Sequence, residues 1–170
     1  MHNLPELPDG FVLRDIIAAD HSFLLALFRS TREQLAYLPL AAAQLDMLYE
    51  QQYQLQQHFY TQQFPQAWHW LVEVKGECAG KLVVNPGEGW VHLVDISLIP
   101  HARGQGLGQQ LLKALQVWAE SQGCGISLQV DRHNLRAKNL YLSLGFREVL
   151  QGETHERLCW QALSVNSVEI

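Results

Sequence analysis

A glycine-rich turn is the feature that most constrains what this chain can fold into. The turn reads Arg103-Gly104-Gln105-Gly106-Leu107-Gly108-Gln109. It follows an apolar strand and precedes a helix whose leucines recur at spacings of three and four. Alternate glycines let the main chain approach a ligand closely, and the first N–H groups of a helix have no acceptor within it. The stretch therefore predicts an α/β chain that binds a phosphate group.

The spacing of the glycines distinguishes between the nucleotide-derived ligands that bind at such turns. A dinucleotide fold needs Gly-x-Gly-x-x-Gly, but the sixth position counted from Gly104 is Gln109, and from Gly106 it is Leu111. A Walker A loop needs Gly-Lys-Ser/Thr, which the chain does not contain. Asp131 stands roughly 20 residues on, where a ribose-binding acid would lie. A nicotinamide-dependent oxidoreductase thus stays a disfavoured alternative.

Composition predicts one globular domain over residues 1–170, with a core at about 11–163. Hydrophobic residues make up 48% of the 170 residues and charged residues 17%, so a sizeable core is expected. The net charge of −5 argues against nucleic acid as a partner. Residues 101–147 nevertheless carry a net +4, whereas residues 1–100 carry −6. The basic segment includes the glycine turn, as expected of a site for a polyanion.

Cysteine usage and hydropathy predict the compartment. The three cysteines form no Cys-x-x-Cys pair, so we expect neither a disulfide framework nor a metal site. The first residues show no basic and apolar leader pattern, and nowhere do 18 apolar residues follow one another. We therefore expect a cytoplasmic protein with no membrane partner.

Periodicity along the chain predicts about seven strands and four helices. The strands are expected at 11–16, 68–74, 79–84, 90–99, 126–130, 146–150 and 157–163, with a frayed tail from Ser164. Asp20 is expected to cap the first helix and Asn134 the last, and Gly123 and Gly145 are expected to end the third and fourth helices. The second helix is expected to bury one stripe: Leu45, Leu48, Tyr49, Gln52, Leu55 and Phe59.

The fourth strand, 90–99, changes phase along its length. Val91 and Leu93 alternate in one phase, whereas Val94, Ile96 and Leu98 alternate in the other. A β-bulge produces such a slip, because two residues then oppose one on the partner strand. Burial of the strand on both faces explains the pattern equally well, and both interpretations stay open.

The run from Ile96 to Gly108 resembles the acetyl-CoA signature of the GCN5-related N-acetyltransferase (GNAT) superfamily, Q/R-x-x-G-x-G/A after a strand. Arg103, Gly106 and Gly108 occupy its three defining places. A second superfamily motif is matched further on, and its residues are Asn134, Ala137, Asn139, Tyr141 and the run Leu144-Gly145-Phe146. The resemblance covers nearly the whole chain, from about Phe11 to Leu163.

The resemblance implies a fold and a cosubstrate site. The implied fold is a single domain with a central, mostly antiparallel, mixed and twisted sheet of about seven strands, about four flanking helices and a splayed, bulged fourth strand. Acetyl-CoA or CoA would bind there, with pantetheine on main-chain groups of Ile96 and Leu98. The pyrophosphate would lie on N–H groups of the turn, and Asn134 and Asn139 would lie near the pantetheine and adenine ends. The implied turn residues are Arg103, Gly104, Gln105, Gly106, Leu107, Gly108 and Gln109.

The resemblance also implies direct attack of an amine on the thioester. Tyr141 matches the residue that protonates the leaving thiolate, and its ordinary pKa of about 10 suits an acid. Helical periodicity alone favours a core tyrosine, whereas the resemblance favours the acid. The base stays open: His92 has a suitable ordinary pKa of about 6.5, while Asp95 and Glu73 could act through water. A main-chain N–H near Leu98 would polarise the carbonyl.

The sequence therefore predicts an enzyme, an N-acetyltransferase that moves an acetyl group from acetyl-CoA to a primary amine. The acceptor would be a small molecule or a peptide, and the protein a monomer or a homodimer. The acidic and aromatic segment 20–66 would suit a cationic amine. The alternative is a CoA-binding sensor or interaction module without catalysis.

Overall fold

The computed structural model describes residues 6–162, which form seven strands and four α-helices. The elements are β1 (Phe11–Asp15), α1 (His21–Ser30), α2 (Ala42–Gln63), β2 (Trp68–Val74), β3 (Glu77–Pro86), β4 (Trp90–Leu98), α3 (Leu107–Ser121), β5 (Gly125–Asp131), α4 (Leu135–Ser143), β6 (Arg147–Gln151) and β7 (His155–Trp160). The predicted last strand ended at Leu163 and the predicted tail began at Ser164, and both residues lie outside the described part. No helix between residues 6 and 162 is long and apolar enough to span a membrane.

The strands pair in the order β1-β2-β3-β4-β5-β7-β6. The pairs β1–β2, β5–β7 and β6–β7 are antiparallel, whereas β4 and β5 are parallel. A parallel pair needs a crossover connection, and α3 supplies it. The mixed seven-stranded sheet with four helices confirms the predicted fold class. A register shift lies between Glu148 and Leu150 in β6, while the predicted bulge in β4 stays a prediction.

The described chain packs as two compact units. The amino-terminal unit comprises 10–83 and 95–105, and the carboxyl-terminal unit comprises 6–9, 84–94 and 106–162. The core of the amino-terminal unit contains Leu24, Leu27, Phe28, Tyr49, Tyr53 and Leu71. The core of the carboxyl-terminal unit includes Leu111, Leu112, Leu115, Ile126, Leu128 and Leu158. A single domain over 1–170 stays a prediction.

Helix α2 buries a different stripe from the predicted one. Tyr49 and Tyr53 are buried, whereas Leu55 and Phe59 are 61% and 55% exposed. The Tyr53 ring meets the ring of Phe28 edge-on, with centroids 5.7 Å apart. The prediction was wrong at Leu55 and Phe59 because the rotation of α2 is set by how the tyrosines pack on α1, and not by apolar character alone.

Asp20 stands at the N-cap position of α1, but its side chain does not cap that helix. Its carboxylate accepts two 2.8 Å bonds from the Arg14 guanidinium and a third from the Ile17 N–H, also at 2.8 Å. These donors lower the pKa of Asp20 to about 2, with the Arg14 bonds as the largest cause. The predicted cap is therefore wrong in its partner, because a buried carboxylate gains more from a bidentate cation.

The other predicted helix ends are confirmed. Asn134 precedes α4, and its Oδ1 accepts a 3.2 Å hydrogen bond from the Ala137 N–H. Gly123 and Gly145 follow α3 and α4 with φ of 66° and 85°, the left-handed conformation that glycine adopts at little cost.

Candidate active site

The glycine turn between β4 and α3 contains two glycines in the left-handed region of backbone conformation. A 3₁₀ turn at Pro100–Ala102 ends β4, and Gly104 and Gly106 then take φ of 76° and 77°. Gly106 is the N-cap of α3, and its carbonyl accepts the Gln110 N–H at 3.0 Å. Because the first N–H groups of a helix have no intrahelical acceptor, this end of α3 presents donors and the positive end of the helix dipole.

Arg103 uses its side chain to hold the turn in place. Its Nε donates to the Leu98 carbonyl at 2.7 Å, and its Nη2 donates to the Ser30 Oγ at 2.8 Å and to the Ser30 carbonyl at 3.2 Å. Its main-chain N–H donates to the Pro100 carbonyl at 3.1 Å. The N–H of Arg103 is thus engaged within the turn, and the donors expected for a phosphate begin at Gly104. Gln105 donates from its side chain to the His101 carbonyl at 2.6 Å.

The β4–β5 ladder is short. It comprises four pairs, from Trp90–Gly125 to Leu93–Leu128, although β4 itself continues to Leu98. Ile96 and Leu98, the expected main-chain partners of pantetheine, lie in this second half of β4 and are half-buried.

Gly80 in β3 allows close packing against β4. A Cβ placed there would lie 2.1 Å from the Ser97 carbonyl oxygen and 3.1 Å from the Leu98 Cα. A residue with a side chain would therefore displace the second half of β4. The sequence analysis did not single out this residue, although a glycine inside an apolar strand is the usual sign of a close main-chain approach.

Tyr141 lies on α4 and is buried, with 8% of its surface exposed. Its ring packs against Phe146, with centroids 5.6 Å apart and an interplanar angle of 59°. Burial on the apolar face fits the core interpretation, so the acid role stays a prediction. Asn139 is exposed on the same helix, and the Asn134 side chain is used as the cap of α4.

His92 is half-buried on β4, where its Nδ1 lies 3.0 Å from the Ser127 Oγ of β5. Burial is the main cause that lowers the pKa of His92, and the nearby positive charge of Arg157 lowers it further. A histidine with a lowered pKa stays neutral at pH 7, which is the form that can accept a proton. A neutral imidazole at this position fits the predicted base, and the role stays a prediction.

The other two candidate bases are held in ion pairs. Asp95 lies 2.8 Å from Lys81 Nζ and accepts a 3.3 Å bond from the Tyr60 hydroxyl. Glu73 accepts from Arg14 Nε at 2.7 Å. Both carboxylates are thus already engaged by a neighbouring cation.

Lys81 is the buried centre of a polar cluster that the sequence analysis missed. It lies in β3 with 6% of its surface exposed, and its Nζ lies 5.5 Å from the centroid of the Tyr60 ring and 3.4 Å from Gln56 Oε1. A lysine inside the run Ala79-Gly-Lys-Leu-Val-Val is the signal that could have revealed it. Residues 6–162 contain no group of three His, Cys, Asp or Glu side chains arranged for a metal ion.

A model of the acetyltransferase (GNAT) family matches residues 35–146, which is more than half of the chain. The chain belongs to the GNAT family. The match includes β2, β3, β4, α3, β5 and α4, and therefore the glycine turn and Tyr141.

Curated GNAT relatives match part of the chain. Thialysine N-epsilon-acetyltransferase of Mus musculus is 34% identical over 94 residues, which are 49% of this chain and 55% of that protein. The uncharacterized N-acetyltransferase YhfO of Bacillus subtilis (strain 168) is 39% identical over 57 residues, 33% of this chain and 38% of that one. The chain thus spans about half the length, or less, of these relatives.

Solved GNAT structures confirm the fold over most of the chain. The PaiA N-acetyltransferase of Thermoplasma acidophilum, in complex with coenzyme A, superposes with a TM-score of 0.65 at 14% identity, covering 89% of this chain and 99% of that one. An acetyltransferase of Thermus thermophilus has a TM-score of 0.65 at 22% identity, covering 90% of this chain and 97% of that one.

Proposed function

We propose that this protein is an N-acetyltransferase that moves an acetyl group from acetyl-CoA to a primary amine. The observation that carries the proposal is the turn at Gly104 and Gly106, which precedes the N-terminus of α3 in a chain of the GNAT family. A Cβ on Gly106 would meet only Gln110 Nε2, at 3.9 Å, so the space beside the turn is open to a ligand. The coenzyme A complex of a structural neighbour supports CoA as the ligand.

Acetyl-CoA would be held by main-chain groups. Its pyrophosphate would accept hydrogen bonds from the N–H groups of 104–109, with the positive end of the α3 dipole behind them. Its pantetheine would pair with Ile96 and Leu98, where β4 extends beyond its ladder with β5. Asn134 and Asn139 would lie beside the pantetheine and the adenine. When bound, acetyl-CoA supplies the thioester for attack.

Two side chains, those of His92 and Tyr141, would transfer the two protons of the reaction. Neutral His92 would accept a proton from the attacking amine, directly or through water, and the Tyr141 hydroxyl would donate one to the departing sulfur. The main-chain N–H of Leu98 would stabilise negative charge on the carbonyl oxygen. His92 is preferred over Asp95 and Glu73 because both carboxylates are held by cations.

The proposed acceptor is an amine because the curated relatives are named as N-acetyltransferases. One of them is named for thialysine, which supports a small amine as the acceptor class. Ribosomal proteins appear in the titles of three structural neighbours, which keeps a peptide acceptor as the competing outcome.

Release of CoA thiol, followed with acetyl-CoA and a panel of amines and peptides, tests the proposal. We expect release that depends on one class of amine and yields a product heavier by one acetyl group. Binding of CoA with no release across the whole panel would instead support the CoA-binding sensor. Failure to bind CoA at all would contradict both.

A further inference from the structure

A cavity of about 880 Å³ lies in the carboxyl-terminal unit, on the sheet face formed by β4, β5, β7 and β6. Its lining includes Trp90, Ser127, Arg147, Arg157, Cys159 and Trp160. Its volume falls within the roughly 300–1,000 Å³ of small-molecule sites. We call it the β7 groove, and nothing in the proposed acetyl-CoA site uses its two arginines.

One row of cross-strand neighbours crosses the floor of the β7 groove. His92 of β4 pairs with Ser127 of β5, Ser127 pairs with Cys159 of β7, and Cys159 pairs with Arg147 of β6. Side chains of directly paired residues lie on the same face of a sheet. The lining residues Ser127, Cys159 and Arg147 therefore share one face of the sheet with the candidate base His92, which is the direct neighbour of Ser127.

The carboxylates of β6 and β7 lie on the opposite face of the sheet, where they form salt bridges. Glu156 of β7 forms salt bridges with Arg132 and Lys138, and Glu148 of β6 forms one with Lys138. Within residues 6–162, neither Arg147 nor Arg157 forms an ion pair, and both are exposed. The sheet thus separates its charges, and the β7 groove is left with two cations and no compensating carboxylate.

Two tryptophans are among the residues that line the β7 groove. The Trp90 ring lies over Gly125, where a Cβ would come within 2.6 Å of it. The Trp160 ring lies beside Gly145, with a Cβ-to-ring distance of 3.6 Å. The glycine at position 125 makes room for the Trp90 ring, so the groove offers apolar surface next to its positive charge.

We propose that the β7 groove binds the acceptor, and that the acceptor is an amino-acid-like small molecule with a carboxylate as well as the amine. Arg157 and Arg147 would bind the carboxylate, because a guanidinium fork matches its geometry. The aliphatic part would lie along the indoles, and the amine would extend toward His92. His92 lies one pair before the end of the β4–β5 ladder. This inference rests on the proposed N-acetyltransferase function.

A matched pair of acceptors tests the role of the carboxylate. L-lysine and cadaverine carry the same terminal amine and differ by the carboxylate, so the ratio of their kcat/KM values isolates it. We expect a ratio of about ten or more in the native protein, which a charged hydrogen bond of roughly 1.5–3 kcal/mol supplies. Arg157→Ala should reduce the ratio toward one. Lys113→Ala, at an exposed position of α3 outside the groove, should leave it unchanged.

A second readout does not need turnover. Cys159 lines the groove and Cys124 does not, yet both thiols are half-buried. Alkylation of each by N-ethylmaleimide is followed by mass spectrometry at alkaline pH, because burial raises the pKa of Cys159. We expect L-lysine to protect Cys159 but not Cys124, cadaverine to protect neither, and Arg157→Ala to abolish protection.

The outcomes separate this inference from the function it rests on. Protection of Cys159 without acetylation would support the groove and contradict the catalytic proposal. Acetylation of both amines at equal kcat/KM, with no protection of Cys159, would overturn the groove and leave the enzyme intact. A dimer in sedimentation that Arg157→Ala dissociates would also overturn it, because a second copy would then occupy the groove.

Discussion

Arg103 donates a 2.7 Å hydrogen bond from Nε to the main-chain carbonyl of Leu98. The first residue of the glycine signature is thereby tied to the end of the strand that precedes it. The same guanidinium reaches Ser30 at the end of α1. The turn at Gly104 and Gly106 is therefore held by a side chain, and we propose that Arg103 positions the donors for a phosphate.

Arg103→Lys should weaken CoA binding although it keeps the charge. Lysine lacks the planar fork that reaches Leu98 and Ser30 together. We expect affinity for CoA, measured by calorimetry, to fall about tenfold and stability to urea to fall by about 1 kcal/mol. Ser30→Ala removes only one of these bonds and should have the smaller effect on both. Equal affinity in Arg103→Lys and the native protein would argue against positioning.

Tyr141→Phe should lower turnover and spare affinity for CoA. Loss of a general acid costs on the order of 10² or more in rate, while the ring that packs on Phe146 is kept. Tyr49→Phe is the matched control, since it removes another buried hydroxyl, the one that donates to the Arg32 carbonyl at 3.1 Å. Steady-state thiol release compares the two. Unchanged kcat in Tyr141→Phe would remove Tyr141 from the acid role and favour a core tyrosine.

The pH dependence of kcat/KM should reflect the protonation of His92. A base must be neutral, and the pKa of His92 is lowered by burial and then by Arg157. Activity should therefore persist below the ordinary value of about 6.5 and be lost only at lower pH. Arg157→Ala should move this acid limb to higher pH. His69, also half-buried and with a lowered pKa, provides the control: His69→Gln should leave the limb in place, and a limb that survives His92→Gln would exclude His92 as the base.

Asp20 should make the free energy of unfolding depend on pH in the acidic range. Its pKa is lowered from 3.8 to about 2 in the folded protein, so its contribution is complete above the unfolded value and is lost as pH falls from about 4 toward 2. Asp20→Asn should cost roughly 1–3 kcal/mol at neutral pH and reduce the acid dependence. Asp46→Asn, which breaks an exposed pair with Arg29, should cost less than about 1 kcal/mol. Urea unfolding across pH measures both.

Local features of this fold could be predicted from sequence, and features set by distant neighbours could not. Gly123, Gly145 and Asn134 end or begin helices through bonds within a few residues, so the local sequence alone revealed them. The partner of Asp20 was missed because Arg14 enters from β1, and the buried face of α2 was missed because Phe28 of α1 selects it.

The candidate site divides in the same way. The glycine turn is one continuous stretch of sequence, so it can be recognised from the sequence alone. The Lys81–Asp95 ion pair joins two strands, and the β7 groove joins four. Neither can be predicted without the register of the sheet, because a shift of one residue would reverse the face of every side chain.

We propose that the turn before α3 binds the pyrophosphate of CoA. Gly106 and Gly123 flank α3 with φ of 77° and 66°, and both have open space where a Cβ would go. An alanine at either position should thus cost a similar free energy, about 1 kcal/mol. Calorimetric titration with CoA should show 1:1 binding to the native protein and to Gly123→Ala, and at least tenfold weaker binding to Gly106→Ala. No binding to the native protein, or equal affinities in both variants, would contradict the account.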